Sequence, residues 1–116
     1  MPSTPETVVW LIRHGASTFN LEGRCQGASD VPELTEAGRA ASRRSGDRLR
    51  CAGVEAVISS PLRRAAKTAL EIRHGLDRRE ISYETDARLR EIDLPQWEGL
   101  SFLEIRRRFQ IGRAFV

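Results

Sequence analysis

The chain is 116 residues long, with 40% hydrophobic and 30% charged residues, which predicts one soluble globular domain over residues 1–116 and excludes a disordered chain. No apolar stretch approaches the roughly 20 residues that a membrane-spanning helix needs, so no membrane association is expected. The formal net charge of +3 favours attraction of small anions over nucleic-acid binding, because the arginines are scattered among acidic residues and are not interleaved with aromatic ones.

The N-terminal residues and the two cysteines favour a cytoplasmic location. Met1–Glu6 has neither the basic start nor the apolar core of a secretory signal, so the cytoplasm is the expected location. Two cysteines, Cys25 and Cys51, do not make a disulfide framework, and each is interpreted as a small buried or half-buried thiol. No pattern in the sequence predicts an oligomeric state.

The first predicted element is a buried strand over Val8–Ile12. This apolar run is too short for a globular helix and is rich in β-branched and aromatic residues. It stops at Arg13-His14-Gly15, where glycine allows a sharp turn and leaves backbone N–H groups open to a ligand. A strand that ends in a cation, an imidazole and a glycine is suited to hold an oxyanion. Ligands of open α/β sheets bind beyond the carboxyl ends of the strands.

A long loop, a helix and a second strand follow. Residues 15–34 are rich in Gly, Asn, Asp and Ser and predict a loop without secondary structure, which at this length is usually functional. Thr35 is the predicted N-cap of a helix that runs to about Arg50. Val54–Ser59 lacks polar alternation and is therefore predicted to be a strand buried on both faces.

The next predicted helix begins at Ser60-Pro61, with serine as the N-cap and proline at the first helical position. It runs to about His74 and ends at Gly75, a favourable C-cap. Arg63-Arg64 falls in its first turn, where positive charge opposes the helix dipole. This placement predicts a compensating negative charge, such as a bound anion.

A short third strand, a loop and a last helix complete the pattern. Ile81–Glu84 is the predicted strand, and Leu89–Gly99 is the predicted loop. Ser101 begins a capping box with Glu104 and is therefore expected to start the last helix.

The alternation of strands and helices predicts an α/β fold with a mainly parallel sheet. Parallel strands bring their carboxyl ends to the same edge of a sheet. Because His14, Arg64 and Glu91 each follow a different predicted strand, we expect them to meet at that edge.

Five short blocks follow one another between about residues 7 and 105. They are Arg13-His14-Gly15 with Ser17 and Asn20, Gly23–Gly27, Leu34–Gly38, Ser59–Ala65, and Leu89–Ile92 with Trp97-Glu98-Gly99. Their order resembles the histidine phosphatase superfamily (branch 1), which includes the cofactor-dependent phosphoglycerate mutases. The resemblance implies a three-layer α/β sandwich of the phosphoglycerate mutase type and a reaction on a phosphate ester.

The resemblance also implies a role for each matching residue. His14 would accept the phosphoryl group, and Glu91 would protonate the leaving oxygen as general acid. Arg13 and Arg64 would bind the phosphoryl oxygens, with Arg64 matched in preference to Arg63 by an Arg-Ala-x-x-Thr pattern. The implied substrate-binding residues are Arg13, Ser17, Asn20, Gln26, Gly27 and Arg64. The implied substrate is a small phosphorylated metabolite, and no metal or other cofactor is expected.

One part of the family pattern is missing. Family members carry a second histidine on a later strand, whereas His14 and His74 are the only histidines here. His74 is expected at the surface, about 20 Å from Arg64 at the far end of the same predicted helix. The chain is therefore expected to be an N-terminal portion of the domain, incomplete at the C-terminus, with an unpaired sheet edge. Alone it is expected to be weakly active or inactive, since a lost donor of this kind can cost about 10²- to 10³-fold.

Three functions stay open from the sequence. A phosphatase is favoured, because the mutases typically carry Glu-Arg-His-Tyr where this chain has Glu91–Leu94. The alternatives are a cofactor-dependent phosphoglycerate mutase and an inactive phospholigand-binding remnant. Apart from the resemblance, the favoured interpretation of Glu91 is a surface carboxylate paired with Arg88 or Arg90.

Overall fold

Four α-helices and a two-stranded parallel sheet make up the described part of the chain, which in this computed structural model is residues 6–78 and 80–109. The elements are α1 (Thr18–Glu22), α2 (Glu36–Arg48), β1 (Ala56–Ser59), α3 (Arg63–Leu76), β2 (Ser82–Thr85), a 3₁₀ turn (Ala87–Leu89) and α4 (Phe102–Phe109). None of the described helices combines the length and the apolar character needed to cross a membrane. The expectation that Met1–Glu6 holds no secretory signal falls almost wholly outside the described residues.

The opening apolar segment Val8–Ile12 is exposed, so the prediction of a buried strand there is wrong. Leu11 is 92% exposed and Val8 is 71% exposed, and the segment pairs with no strand of the described chain. A buried strand needs partners for its N–H and C=O groups and a layer that covers its side chains. The apolar pattern reports the residue types but not the presence of these neighbours, which the described residues do not supply.

The stretch 15–34 contains a short helix where a loop without secondary structure was expected. Ser17 caps α1 reciprocally with Asn20: the Ser17 hydroxyl accepts the Asn20 N–H at 3.2 Å, and the Asn20 side-chain oxygen accepts the Ser17 N–H at 3.0 Å. This capping box, with Asn in place of the usual Glu or Gln, accounts for the helix. The remainder of the stretch, up to Thr35, is a loop, as predicted. Backbone hydrogen bonds join its two ends, such as that from the N–H of Thr18 to the carbonyl of Glu33.

Thr35 caps α2, as predicted. Its hydroxyl accepts the N–H of Gly38 at 3.0 Å, and the helix ends at Arg48, close to the expected Arg50. The signal was sufficient because an N-cap is a local interaction between residues three positions apart.

Helix α3 begins at Arg63, so the predicted start at Ser60-Pro61 is wrong. Its N-cap is Leu62, which has no side-chain acceptor, and the Ser60 hydroxyl accepts the Leu62 N–H at 3.2 Å ahead of the helix. The N–H of Arg63 is instead accepted by the carboxylate of Asp30 at 2.7 Å. A local sequence pattern cannot reveal a cap that comes from 33 residues away.

Helices α2 and α3 pack against each other through two glycines. A Cβ on Gly46 would lie 2.0 Å from the carbonyl oxygen of Ile72, and one on Gly75 would lie 2.1 Å from that of Arg43. Only glycine permits so close an approach of two backbones. Gly75, predicted to be the C-cap, is therefore a packing residue inside α3, which ends at Leu76.

Strands β1 and β2 are parallel neighbours, which agrees with the α/β prediction. The register pairs Ala56 with Ser82 and Ser59 with Thr85. β2 therefore begins and ends one residue later than the predicted third strand, Ile81–Glu84. β1 was predicted to be buried on both faces, and this is wrong, since Ile58 is 52% exposed. The buried apolar cluster consists of Ile72, Leu76 and Ile81, with Leu49, Val54 and Val57 packed against it.

Ser101 caps α4, as predicted. Its hydroxyl accepts the N–H of Glu104 at 3.1 Å, and Ile105 in the next turn is fully buried. The residues just before α4 are tied to the long loop, because the N–H of Cys25 donates to the carbonyl of Leu100 at 2.8 Å. The chain is thus closed back onto the segment that follows α1.

Candidate active site

The turn at Gly15 is fixed by contacts with two helices. Its N–H donates to the Thr68 hydroxyl at 3.0 Å, and that hydroxyl donates to the carbonyl of Arg64 at 2.7 Å. A Cβ on Gly15 would lie 2.7 Å from the carbonyl oxygen of Gly38, and one on Gly38 would lie 2.6 Å from that of Ala16. The backbone that follows the candidate nucleophile is therefore held between α2 and α3.

The two ring nitrogens of the half-buried His14 have different partners. Nδ1 lies 2.6 Å from the carbonyl oxygen of Gly15, which can only accept, so Nδ1 carries the proton of the neutral ring. Nε2 lies 3.3 Å from the side-chain nitrogen of Gln26, which can only donate. Nε2 therefore keeps its lone pair, and histidine in this form can act as a nucleophile.

The surroundings of His14 favour its neutral form. Burial lowers the pKa of the ring below its ordinary 6.5, and the bond to Gly15 opposes this effect. The guanidinium groups of Arg64 and Arg13 lower the pKa further, while the carboxylate of Glu91 raises it. The other three residues predicted to be catalytic thus lie within electrostatic range of the His14 imidazole.

The orientation of Gln26 is set by Ser17. The Ser17 hydroxyl donates to the Gln26 side-chain oxygen in a short hydrogen bond, so the nitrogen of the amide faces His14. Ser17 is 0% exposed and lies beneath the site. The Asn20 side-chain oxygen is used by the α1 cap. Of these three residues predicted to bind substrate, Gln26 is the one whose side chain reaches the histidine.

Arg64 is almost completely buried, with 1% exposure, and its side chain is bound to the long loop. Nη1 donates to the carbonyl of Ser29 and Nη2 to that of Gly27, each at 2.6 Å. A guanidinium has five N–H donors, so these two bonds leave others for a phosphoryl group. Burial lowers the pKa of Arg64, and nearby carboxylates, Glu91 first among them, act in the opposite direction.

Arg63 is exposed and binds Asp30. Its Nη2 donates to the Asp30 carbonyl at 2.7 Å, and its Nε lies 3.5 Å from the Asp30 carboxylate. That carboxylate supplies the negative charge that was predicted near the first turn of α3. The two adjacent arginines therefore differ in their surroundings, since Arg64 is buried and Arg63 is exposed.

Arg13 and Glu91 lie on the exposed side of the site. Arg13 directly follows the exposed segment Val8–Ile12, and Glu91 follows the 3₁₀ turn. Arg88, which was considered as an ion-pair partner of Glu91, is bound to the Asp86 carboxylate at 2.6 Å instead. The structure thus leaves Glu91 exposed at the site.

Other chemically reactive residues lie apart from this arrangement. His74 is exposed in the last turn of α3, where the sequence placed it. Cys25 is buried, and burial, followed by the charge of Glu98, raises the pKa of its thiol, which disfavours the reactive thiolate. Cys51 is exposed. Within residues 6–78 and 80–109, no group of three or more His, Cys, Asp or Glu side chains is placed to hold a metal ion.

Sequence reasoning missed the residues that support the site. Thr68 and Gly38 hold the turn at Gly15, and Glu98 binds two loops. Gly38 and Glu98 belong to blocks that resemble the family, and Thr68 ends the Arg-Ala-x-x-Thr pattern, so a signal was present. The sequence could not say what each residue supports, because their partners are distant along the chain.

Comparisons with known proteins agree on one family. The family model of the histidine phosphatase superfamily (branch 1) matches residues 9–113. A probable 2-carboxy-D-arabinitol-1-phosphatase from Arabidopsis thaliana is 42% identical over 107 residues, which are 92% of this chain and 21% of the plant protein. A probable phosphoglycerate mutase GpmB from Citrobacter koseri is 42% identical over 88 residues, which are 74% of this chain and 38% of that protein.

A solved structure extends the comparison to the fold. The mycobacterial glucosyl-3-phosphoglycerate phosphatase in complex with VO3 superposes with a TM-score of 0.74 at 33% identity, over 82% of this chain and 44% of that one. The phosphoglycerate mutase-like fold predicted from the sequence is confirmed. The chain spans less than half the length of each of these three relatives.

Proposed function

The chain belongs to the histidine phosphatase superfamily (branch 1), and from that premise we propose that it carries the nucleophile and phosphate-binding residues of a phosphomonoesterase. The observation that carries the proposal is the state of His14. Its Nδ1 is bound to the Gly15 carbonyl and its Nε2 has a lone pair, so the ring is set to attack phosphorus. The substrate class is a small phosphorylated metabolite, which fits the relatives named as phosphatases.

In the first step, Nε2 of His14 forms a bond to phosphorus while the ester P–O bond breaks. The leaving oxygen takes a proton from Glu91, which acts as the general acid. Arg13 and Arg64 bind the phosphoryl oxygens. The Gln26 amide, which faces Nε2 in this structure, donates to a phosphoryl oxygen once the substrate is bound.

In the second step, water attacks phosphorus and the P–N bond breaks. Glu91, now a carboxylate, takes a proton from the attacking water, and inorganic phosphate leaves. Neither step draws on a metal ligand from the described residues. The family's second histidine has no counterpart among His14 and His74, so we expect slow turnover by this chain alone.

The proposal is tested by trapping the intermediate. The chain is mixed with p-nitrophenyl phosphate, quenched in alkali, in which phosphohistidine is stable, and mapped by peptide mass spectrometry. We expect phosphate on the peptide that contains His14, and its loss after brief treatment with acid. Turnover without phosphate on His14 would contradict the mechanism. Binding of inorganic phosphate without turnover would indicate the phospholigand-binding remnant.

A second candidate function is supported by the relative named as a probable phosphoglycerate mutase. A mutase keeps phosphohistidine long enough to rephosphorylate its product. Incubation with 3-phosphoglycerate and a catalytic amount of bisphosphoglycerate distinguishes the two functions. Formation of 2-phosphoglycerate would favour the mutase, and release of inorganic phosphate would favour the phosphatase.

The cytoplasmic location and the lack of nucleic-acid binding remain predictions from the sequence. Fractionation of the source cells with an antibody against the chain tests the location. A gel-shift measurement with RNA and DNA at physiological salt tests the binding, and we expect no shift.

A further inference from the structure

Glu98 joins the two loops that frame the candidate site. Its Oε1 accepts the N–H of Ala28 at 2.9 Å and the N–H of Leu94 at 3.2 Å. Ala28 lies in the loop that carries Gln26, and Leu94 lies in the loop that carries Glu91. One carboxylate oxygen thus links the loop of the amide donor to the loop of the proposed general acid.

The long loop is shaped to fit this carboxylate. Gly27 has a φ of 49°, and a Cβ there would lie 2.7 Å from Oε1 of Glu98. The neighbouring backbones are also bonded, since the N–H of Gly99 donates to the carbonyl of Cys25 at 2.9 Å. Glycine at position 27 therefore permits both the turn and the close approach of the carboxylate.

Residues 27–29 of the long loop connect Glu98 to Arg64. Arg64 donates to the carbonyls of Gly27 and Ser29, and Glu98 accepts the N–H of Ala28 between them. The segment 27–29 is therefore held from one side by a cation and from the other by an anion. A change in the position of Glu98 would shift the surface against which the Arg64 guanidinium rests.

We propose that Glu98 is a positioning residue of this site, whose carboxylate sets the distance between the Gln26 loop with its bound Arg64 and the Glu91 loop. The inference rests on the proposed phosphatase function for its catalytic consequence. The role is exerted through Ala28 and Leu94 and includes no proton transfer by Glu98 itself.

The first test measures the two loops without any need for turnover. Amide hydrogen exchange is compared in the wild type, Glu98→Ala and Glu98→Gln, with the Gly15 amide, bound to Thr68, as an internal reference. We expect faster exchange at Ala28 and Leu94 in Glu98→Ala. Glutamine keeps a side-chain oxygen that can accept both bonds, so Glu98→Gln should retain most of the protection. Equal exchange at both amides in all three proteins would overturn the inference.

The second test measures catalysis with p-nitrophenyl phosphate. We expect Glu98→Ala to raise KM and lower kcat, with kcat/KM falling by about 10²-fold, as a misplacement of about 1 Å can cause. Glu98→Gln should restore both parameters and leave the pH profile unchanged. Glu22→Ala removes a carboxylate that binds the nearby Arg24 and serves as the matched control. Glu98→Gln as inactive as Glu98→Ala would indicate proton transfer by Glu98 and overturn the inference.

The failure of the two proposals can be distinguished. If the wild type shows no turnover and no phosphohistidine, the proposed function fails, while hydrogen exchange still decides whether Glu98 positions the loops. Affinity for inorganic phosphate, measured by calorimetry, then replaces kcat/KM as the second readout. We expect weaker binding in Glu98→Ala than in Glu98→Gln, and equal affinity would count against the inference.

Discussion

The two sides of the candidate site differ in how they are supported. The held side, which we define as residues 14–30 with α3, fixes His14 and Arg64 by hydrogen bonds and glycine contacts to α2 and to the loop before α4. The open side, which we define as residues 8–13 and 90–93, is exposed at every position. Arg13 and Glu91 belong to the open side.

The difference shows which contacts fix the positions of the candidate site residues. On the held side, His14, Gln26 and Arg64 each have a hydrogen-bond partner within the described chain. On the open side, the apolar residues of Val8–Ile12 find among the described residues neither the pairing nor the covering that such a run requires. The matched part of this chain covers 38% and 44% of two relatives, and a longer chain can supply such neighbours.

The largest expected effect comes from removing the proposed nucleophile of the held side. His14→Asn should lower hydrolysis of p-nitrophenyl phosphate by about 10⁴-fold or more, the scale on which loss of a covalent nucleophile acts. His74→Asn removes the other histidine, which is exposed at the end of α3, and should leave turnover unchanged. Steady-state rates of both variants are compared. Equal losses of turnover in the two variants would contradict the assignment of the catalytic role to His14 and not to His74.

The second effect contrasts the packing of the two sides. Gly38→Ala places a Cβ 2.6 Å from the carbonyl oxygen of Ala16, so the turn at Gly15 or helix α2 must shift. We expect the free energy of unfolding to fall by about 1–3 kcal/mol. Leu11→Ala, at a side chain 92% exposed, should change the free energy of unfolding by less than about 0.5 kcal/mol. Urea denaturation of both variants measures the difference. A larger loss in Leu11→Ala would show that the open side is packed in solution.

The third effect isolates one hydrogen-bonded side chain of the held side. Thr68→Val keeps the shape but removes the hydroxyl that accepts the Gly15 N–H and donates to the Arg64 carbonyl. We expect a loss of about 1–2 kcal/mol in the free energy of unfolding, because the partly buried Gly15 N–H loses its acceptor. Thr68→Ser keeps the hydroxyl and should lose less, and chemical denaturation ranks the two. Equal stability of the serine and valine variants would contradict the role assigned to the hydroxyl.

The elements that the sequence predicted correctly depend on local signals. Thr35 and Ser101 each cap a helix through an N–H three residues away, so both helix starts could be predicted. The start of α3 could not be, because Asp30 caps it from a distant loop. The end of α3 was missed because Gly75 serves a contact between helices and does not end one.

The candidate site was predicted through the resemblance, and its supports were not. The motif residues His14, Arg64 and Glu91 could be assigned by matching the family blocks. Their mutual arrangement depends on contacts such as that of Glu98 with Ala28, which join residues 70 positions apart. The failure at Val8–Ile12 has the same cause, since burial depends on neighbours that residue type alone does not report.

The smallest effect is the pH dependence that follows from the buried ring on the held side. Burial lowers the pKa of His14 in the folded state below its ordinary 6.5, so between the two values the unfolded chain binds more protons. Stability should therefore rise with pH through this window, fall as pH drops below about 6.5, and show no contribution from His14 above it. A shift of one whole unit would be worth about 1.4 kcal/mol, and residual solvent contact at a half-buried ring reduces the effect.

Two measurements check this window. NMR titration of the His14 ring protons, assigned with His74→Asn, should give a midpoint below 6.5. The free energy of unfolding of the wild type should fall more steeply between pH 7 and pH 5 than that of His14→Asn, which has no titrating ring at this position. A midpoint at or above 6.5 would mean that burial does not lower the pKa of the His14 ring. Burial would then no longer explain why His14, the proposed nucleophile, is neutral.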